Sequence, residues 1–306
     1  MRAIALSGQT ASALPRQRFS LGYVLIAPLV LWLLLTVIIP LIGAVGLSLQ
    51  DMRIVGTASN YIGLANYGRV LSDGAFWAAA GRSVLWVVGN AVLQTALGFL
   101  VAILLNQRLR LARAARMWIL LSWVLPTAVL VIIWRWMLSS AGGGLINALL
   151  IEARLIRLPI SFFGSAESAM ITLIVINSWR WFPLTALFIL AGLQAIPDEL
   201  YEAAKVDGAS AVQRFRHITL PSLQPVLASL GLIGFLWSVN VFDVIWLLTQ
   251  GGPSDGTTTL PVFIYNAAFK QYRLSEAAAA SVIFGILLLA CAALFLRLVG
   301  SPERER

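Results

Sequence analysis

The chain is short of charge. Only 11% of its 306 residues are Asp, Glu, Lys or Arg, while 59% are hydrophobic and the mean hydropathy is +0.87. A soluble domain carries roughly 25% charged residues, so this composition excludes a water-exposed globule. Lysine is nearly absent, with Lys205 and Lys270 the only two. A phosphate-cradling loop needs a glycine-rich turn followed by Lys and Ser/Thr, because backbone N–H groups hold the phosphates and the lysine reaches their oxygens. Neither lysine has that context, and Gly142-Gly143-Gly144 and Gly251-Gly252 have no lysine. A nucleotide-hydrolysing site in this chain is therefore excluded. The one histidine, His217, has no Cys or His at ligand spacing, so neither a metal centre nor a nucleophilic triad is expected. The chain is read as binding no cofactor and holding no catalytic residue. The lone cysteine, Cys291, excludes an internal disulfide and reads as a small hydrophobe within an apolar run.

What is abundant is long apolar sequence. Windows at Leu21–Leu47, Trp77–Leu105, Trp118–Leu138, Ala169–Ala195, Leu223–Leu248 and Ala277–Val299 each reach the length of a bilayer crossing. Helices satisfy their own backbone in lipid, so the fold class expected is an all-α integral membrane protein with six transmembrane helices. Arg16 and Arg18 ahead of an apolar run resemble a signal peptide, but the Leu21–Leu49 stretch is too long for one and is interrupted by Pro28 and Pro40. It is read as an uncleaved first span. The domain reading is a tail over 1–20, a six-span unit over 21–300 and a tail over 301–306.

The formal charge of +9 could suggest nucleic acid, but its distribution points elsewhere. Arg2, Arg16, Arg18, then Arg108, Arg110, Arg113, Arg116, then Lys205, Arg214, Arg216, then Arg297, Arg304, Arg306 occupy one set of connections. The alternate set holds Arg53, Arg69, Arg154, Arg157, Lys270 and Arg273. Thirteen against six places both termini and the fourth connection in the cytoplasm by the positive-inside rule. No nucleic-acid partner is expected. On the other side, "SSAGGGLINALLIEARLIRLPISFFGS" reads as a glycine turn and a short surface helix, and "TQGGPSDGTTTLP" as a turn that ends the preceding helix.

The fourth connection, 197–221, is the polar exception. Pro197 with Asp198 and Glu199 suits a helix start, and Asp207-Gly208 suits a left-handed stop. Ser210 with Gln213 is a capping box for a second helix, which Leu220-Pro221 is expected to end. Ala203, Ala204, Gly208 and Ala209 leave the elbow with little bulk, while Glu202, Lys205, Arg214 and Arg216 ring it with charge. That combination reads as a docking knob, against the plain alternative of a well-capped solvated hairpin.

Glu202-Ala203-Ala204, three residues, Gly208, nine residues, Ile218, one residue and Leu220-Pro221 match, at every fixed position, the EAA loop of ABC importer permeases. With "LQAIPDELYEAAKVDGASAVQRFRHITLP", "FDVIWLLTQGGP" and six spans, the chain from about Val24 resembles the maltose-type carbohydrate uptake permeases. The resemblance implies that Glu202, Ala203, Ala204 and Gly208, flanked by Arg214 and Arg216, insert into a cleft of a cytoplasmic ATPase and pass its motion to the spans. It further implies a second, related permease, two ATPase copies holding Mg-ATP, an extracytoplasmic binding protein and a sugar-type substrate, in the bacterial inner membrane.

Ionisable groups inside a span are costly and point to function. Arg180 lies between Trp179 and Trp181 with Asn177 on the same helical face, and Trp237, Asn240 and Asp243 repeat the pattern in span five, followed by Trp246. Amides and carboxylates meet sugar hydroxyls while aromatic rings pack on C–H faces, so Asn177, Arg180, Trp237, Asn240 and Asp243 are the expected substrate-pathway residues. The plainer readings are helix-joining polar pairs, Arg180 with Asp243 among them, and interfacial tryptophans; Trp134, Arg135 and Trp136 are read as such anchors. Glycerol phosphate or another polyol derivative is an alternative substrate. An ion-coupled secondary transporter is the rival class, opposed by the single intraspan carboxylate, Asp243, and by the lack of an inverted repeat.

Overall fold

A computed structural model describes residues 18–52, 60–107, 112–141 and 143–299. Most of both tails, and with them Arg2, Arg16, Arg304 and Arg306, lie outside the described residues, as do Arg53, Arg108 and Arg110. In chain order come α1 (Gly22–Ser48), the paired strands β1 (Gln50–Asp51) and β2 (Asn60–Tyr61), α2 (Ala65–Ser72), α3 (Gly74–Asn106), α4 (Ala112–Val124) and α5 (Thr127–Met137). They are followed by α6 (Leu145–Glu152), α7 (Ala166–Gln194), α8 (Asp198–Val206), α9 (Ala211–Val239), α10 (Asp243–Thr249), α11 (Leu260–Tyr265) and α12 (Leu274–Val299). Five of these helices, α1, α3, α7, α9 and α12, are long and apolar enough to cross a membrane. Among the described residues, the one further candidate for a sixth crossing is the bent pair of α4 and α5.

The third apolar window is thus not a straight span. Its two helices meet at 96° around Leu125-Pro126. Pro126 has no N–H and sits in an extended conformation at the start of α5 (ψ 141°), so the ladder cannot run through it. The fifth window also divides. Helix α9 stops at Val239, where the Asn240 side-chain amide donates to Leu236 O (2.8 Å) in competition with the helical backbone, and α10 starts afresh at Asp243.

Three prolines expected to interrupt or end helices do neither. Helix α1 runs through Pro28 and Pro40, and α9 runs through Pro221. Ahead of Pro40 the helix widens to a π turn at Leu34–Ile38, and ahead of Pro221 to one at Phe215–Thr219. In each, the residue just before the proline, Ile39 or Leu220, donates five residues back, to Leu34 O or Phe215 O. The wider turn relieves the crowding that a proline ring imposes on the preceding turn. The turn cluster at 250–256 does end α10, with Gln250 (φ 53°) and Gly251 (φ 92°) both left-handed.

The centre is the α3/α7 pair, packed along most of its length. A Cβ at Gly98 would lie 2.7 Å from Thr185 Cγ2, and one at Gly89 2.7 Å from Ile174 Cδ1. Missing side chains are what let the backbones approach this closely, as membrane helix pairs require. One apolar cluster joins Trp86, Leu130, Leu173, Ile176, Ile245 and Val262. A second, at the end nearest α8, joins Ala102, Leu105, Ile189, Leu190, Leu193, Ile196 and Leu223. Helix α1 differs: no residue from Gly22 to Leu47 is buried, and it meets the other helices through its second half, against α12. Arg69 on α2 bridges Asp51 (4.0 Å) and Glu276 (3.9 Å), tying the hairpin to α12.

Candidate functional site

Two places stand out, one at the end of α7 and α9 and one between those helices. At the end, 198–219 forms the elbow expected from its caps. Gly208 is left-handed (φ 78°), its N–H meets Lys205 O (3.1 Å) and that of Ala209 meets Ala204 O (2.8 Å). That is the paired bond of a Schellman stop, in which glycine avoids the Cβ penalty. Ser210 Oγ accepts from Gln213 N–H (3.3 Å) and Gln213 Oε1 from Ser210 N–H (2.7 Å), a complete capping box. Arg214 turns back to donate to Ala209 O. Glu202, Ala203, Lys205, Asp207, Gly208 and Arg216 are exposed, and Ala204 and Arg214 half-buried. Apart from its two chain neighbours, no described residue lies within 4 Å of a Cβ built on Gly208. Flanking it, Val206 is 88% and Val212 75% exposed. Two aliphatic side chains are thus held in the open on either side of the glycine.

Between the helices, a cavity of about 580 Å³ opens among α3, α7, α9 and α12. Its walls are mainly aliphatic, with Asn177, Trp181, Thr185, Trp237, Ser238, Gln94 and Thr95 among them, and Cys291 on the α12 side. The rings of Trp181 and Trp237 lie 5.2 Å apart. Among the described residues, none that is charged lines it. Asn177, 1% exposed, donates through Nδ2 to Asn90 Oδ1 (2.7 Å), while its Oδ1 has no partner among the described residues. Ser238 Oγ is likewise unpartnered among them, although Ser238 O accepts from Trp86 Nε1 (3.0 Å). A mostly apolar hollow with two neighbouring indoles and a few amide- and hydroxyl-bearing side chains in its walls can take up a ligand with both C–H faces and hydroxyls.

The expected pathway residues therefore separate. Asn177 and Trp237 line the cavity, and Arg180, Asn240 and Asp243 do not. Arg180 Nη1 instead faces Asp243 Oδ2 at 3.7 Å, which also accepts from Thr127 Oγ1 (2.6 Å). Those three residues join α7 to the first residues of α10 and α5, beside both helix breaks. Arg135 donates to Leu247 O (3.0 Å) and Leu248 O (3.2 Å), the last carbonyls of α10, and Trp134 packs edge-on against Trp179 (5.5 Å).

Asn90 is a residue that the sequence reading misses. It is 1% exposed, and its Oδ1 accepts from Asn177, Ser178 (3.3 Å) and Gln94 (3.1 Å). A signal for it exists: Asn90 and Gln94 are an i, i+4 amide pair within an otherwise apolar window. Trp181, which enters the sequence reading only as a neighbour of Arg180, is a second.

Residues 94–301 match the family model described as "Binding-protein-dependent transport system inner membrane component". The chain is 34% identical over 304 residues to the trehalose/maltose transport system permease protein MalF of Thermococcus litoralis, covering 98% of this chain and 100% of that one. It is 29% identical to the lactose transport system permease protein LacF of Rhizobium radiobacter, over 93% of this chain and 95% of that one. A solved bacterial ABC transporter that imports the acidic polysaccharide alginate has a chain of the same fold, with TM-score 0.80, 22% identity and coverage of 94% here and 98% there.

Proposed function

Because the chain belongs to the family of binding-protein-dependent transport system inner membrane components, the multi-pass permeases of ABC importers, we propose that it carries a neutral sugar across the inner membrane, delivered by an extracytoplasmic binding protein. The cavity carries this reading. Its two indoles, Trp181 and Trp237, and its amide and hydroxyl groups suit a pyranose, and its uncharged lining disfavours glycerol phosphate, which would need a cation. Trehalose, maltose and lactose are the sugars in the names of its relatives, and all are uncharged.

The same reading assigns Glu202, Ala203, Ala204 and Gly208, with Arg214 and Arg216 beside them, to docking on a separate ATPase. The elbow is exposed, internally capped and continuous with α9, so a displaced tip tilts a membrane helix. Both termini and the elbow then lie in the cytoplasm. A second permease subunit completes the pathway, and two ATPase copies bind the Mg-ATP. Membership in this family leaves the ion-coupled transporter without support.

The test is ATP hydrolysis by the reconstituted complex, stimulated by its binding protein across neutral disaccharides, acidic sugars and glycerol phosphates. Stimulation by a neutral sugar, lost in Trp237→Ala, is the expected result. Stimulation by glycerol phosphate alone would overturn the assignment of the substrate.

A further inference from the structure

Among the described residues, one side-chain polar contact ties the elbow's first helix to the last residue of the elbow, where the helical trunk begins. Tyr201 Oη and Thr219 Oγ1 lie 2.9 Å apart, eighteen positions apart in sequence. Tyr201 is half-buried and Thr219 is 7% exposed, and between them no residue of the elbow is buried. Tyr201 and Ile218 pack on the apolar cluster of Ala102, Leu105, Ile189, Leu190, Leu193, Ile196 and Leu223. The hydroxyl pair therefore sits where the exposed knob ends and the packed helices start.

Its position along the chain matters more than its strength. Tyr201 is in the first turns of α8, and Thr219 is the last residue of the π turn in α9. A force applied to α8 and travelling along the backbone must pass the Gly208 turn and then the π turn, where the hydrogen-bond ladder departs from the α pattern. The Tyr201–Thr219 contact bypasses both. It delivers displacement of α8 directly to the residue from which regular helix continues through Leu220 to Val239. Phe215, at the start of the π turn, touches Phe99 of α3 edge-on (6.1 Å), so the widened turn is also held from the side.

We propose that Tyr201 and Thr219 are positioning residues for energy coupling: their hydroxyl contact closes residues 201–219 into one body and moves α9 with the elbow. This rests on the reading of the elbow as the ATPase-docking element.

The experiment has two arms, so that the two ideas fail separately. In the first, the full chain in membranes is digested with trypsin at the elbow, after Lys205, Arg214 and Arg216. Losing one neutral hydrogen bond shifts a local opening equilibrium by about 2- to 10-fold. Tyr201→Phe and Thr219→Val are expected to speed cleavage by that factor, and Thr219→Ser, which keeps the hydroxyl, to leave it near wild type. The double variant Tyr201→Phe/Thr219→Val should cleave no faster than either single variant. In the second arm, sugar transported per ATP hydrolysed is measured in the assembled importer. It should fall several-fold in Tyr201→Phe and Thr219→Val and return in Thr219→Ser, a ratio that loss of folded protein would not change. Wild-type cleavage, or additive effects in the double variant, overturns the tie while leaving elbow docking intact. Faster cleavage with an unchanged transport ratio overturns the coupling role itself.

Discussion

The elbow at 198–219 and the amide cluster around Asn90 and Asn177 depend on the same helix, α7, and are stabilised in opposite ways. The elbow is built from neighbours: the Schellman stop at Gly208, the Ser210/Gln213 box and the Arg214 bond to Ala209 each span five residues or fewer. The amide cluster is built across the fold, with Asn177 reaching Asn90, 87 positions away, and Trp86 reaching Ser238, 152 away. One region can thus be exposed to a partner without losing its shape. The other keeps its shape only while the helices around it stay packed.

Substitutions should separate the two. The largest effect is expected from Gly208→Arg, which should abolish sugar-stimulated ATP hydrolysis and uptake while the chain still inserts. There is room for a side chain within the chain, so the loss would come from the partner, beyond the roughly 1–2 kcal/mol of left-handed strain. Gly208→Ala bears that strain with almost no bulk, and should retain partial uptake. Next comes Asn90→Leu, which removes the acceptor shared by Asn177, Ser178 and Gln94. Thermal unfolding of the purified chain should register a loss of about 1–3 kcal/mol, and adding Asn177→Leu should cost less than the sum of the two singles.

Smaller again is Asp243→Ala. It strips Arg180 and Thr127 of their partner, but the Asp243 side chain is 50% exposed and the ion pair is 3.7 Å long, so a loss of about 1 kcal/mol is expected. Asp243→Asn, keeping an acceptor for Thr127, should lose less in the same melt. The smallest global effect belongs to Ser210→Ala, worth about 1 kcal/mol to the elbow alone. Tryptic cleavage there should quicken by several-fold with the melting temperature unchanged.

The same contrast explains what can be read from the amino-acid order. Caps and glycines act within a turn, so Pro197, Gly208, Ser210 and Gln213 locate the elbow's helices from sequence alone. Apolar length marks four windows that are single helices, and two more, the third and the fifth, that the structure divides: length is blind to Pro126 as a 96° corner and to Asn240 competing with its own helix. It is also blind to the π turns that carry α1 and α9 past Pro40 and Pro221. In the cavity, residue type identifies Asn177 and Trp237 but does not say which faces meet. The helix pair that closes at Gly89 and Gly98 sets Asn177 against Asn90 and in the cavity wall, while Arg180 faces Asp243.

The most direct test of the docking surface is a photo-reactive amino acid at Val206, 88% exposed beside Gly208. In the assembled importer it should form an adduct with the ATPase subunit, with a yield that changes when ATP is bound. No adduct at Val206, with the ATPase instead captured from another connection of this chain, would contradict the elbow as the coupling element.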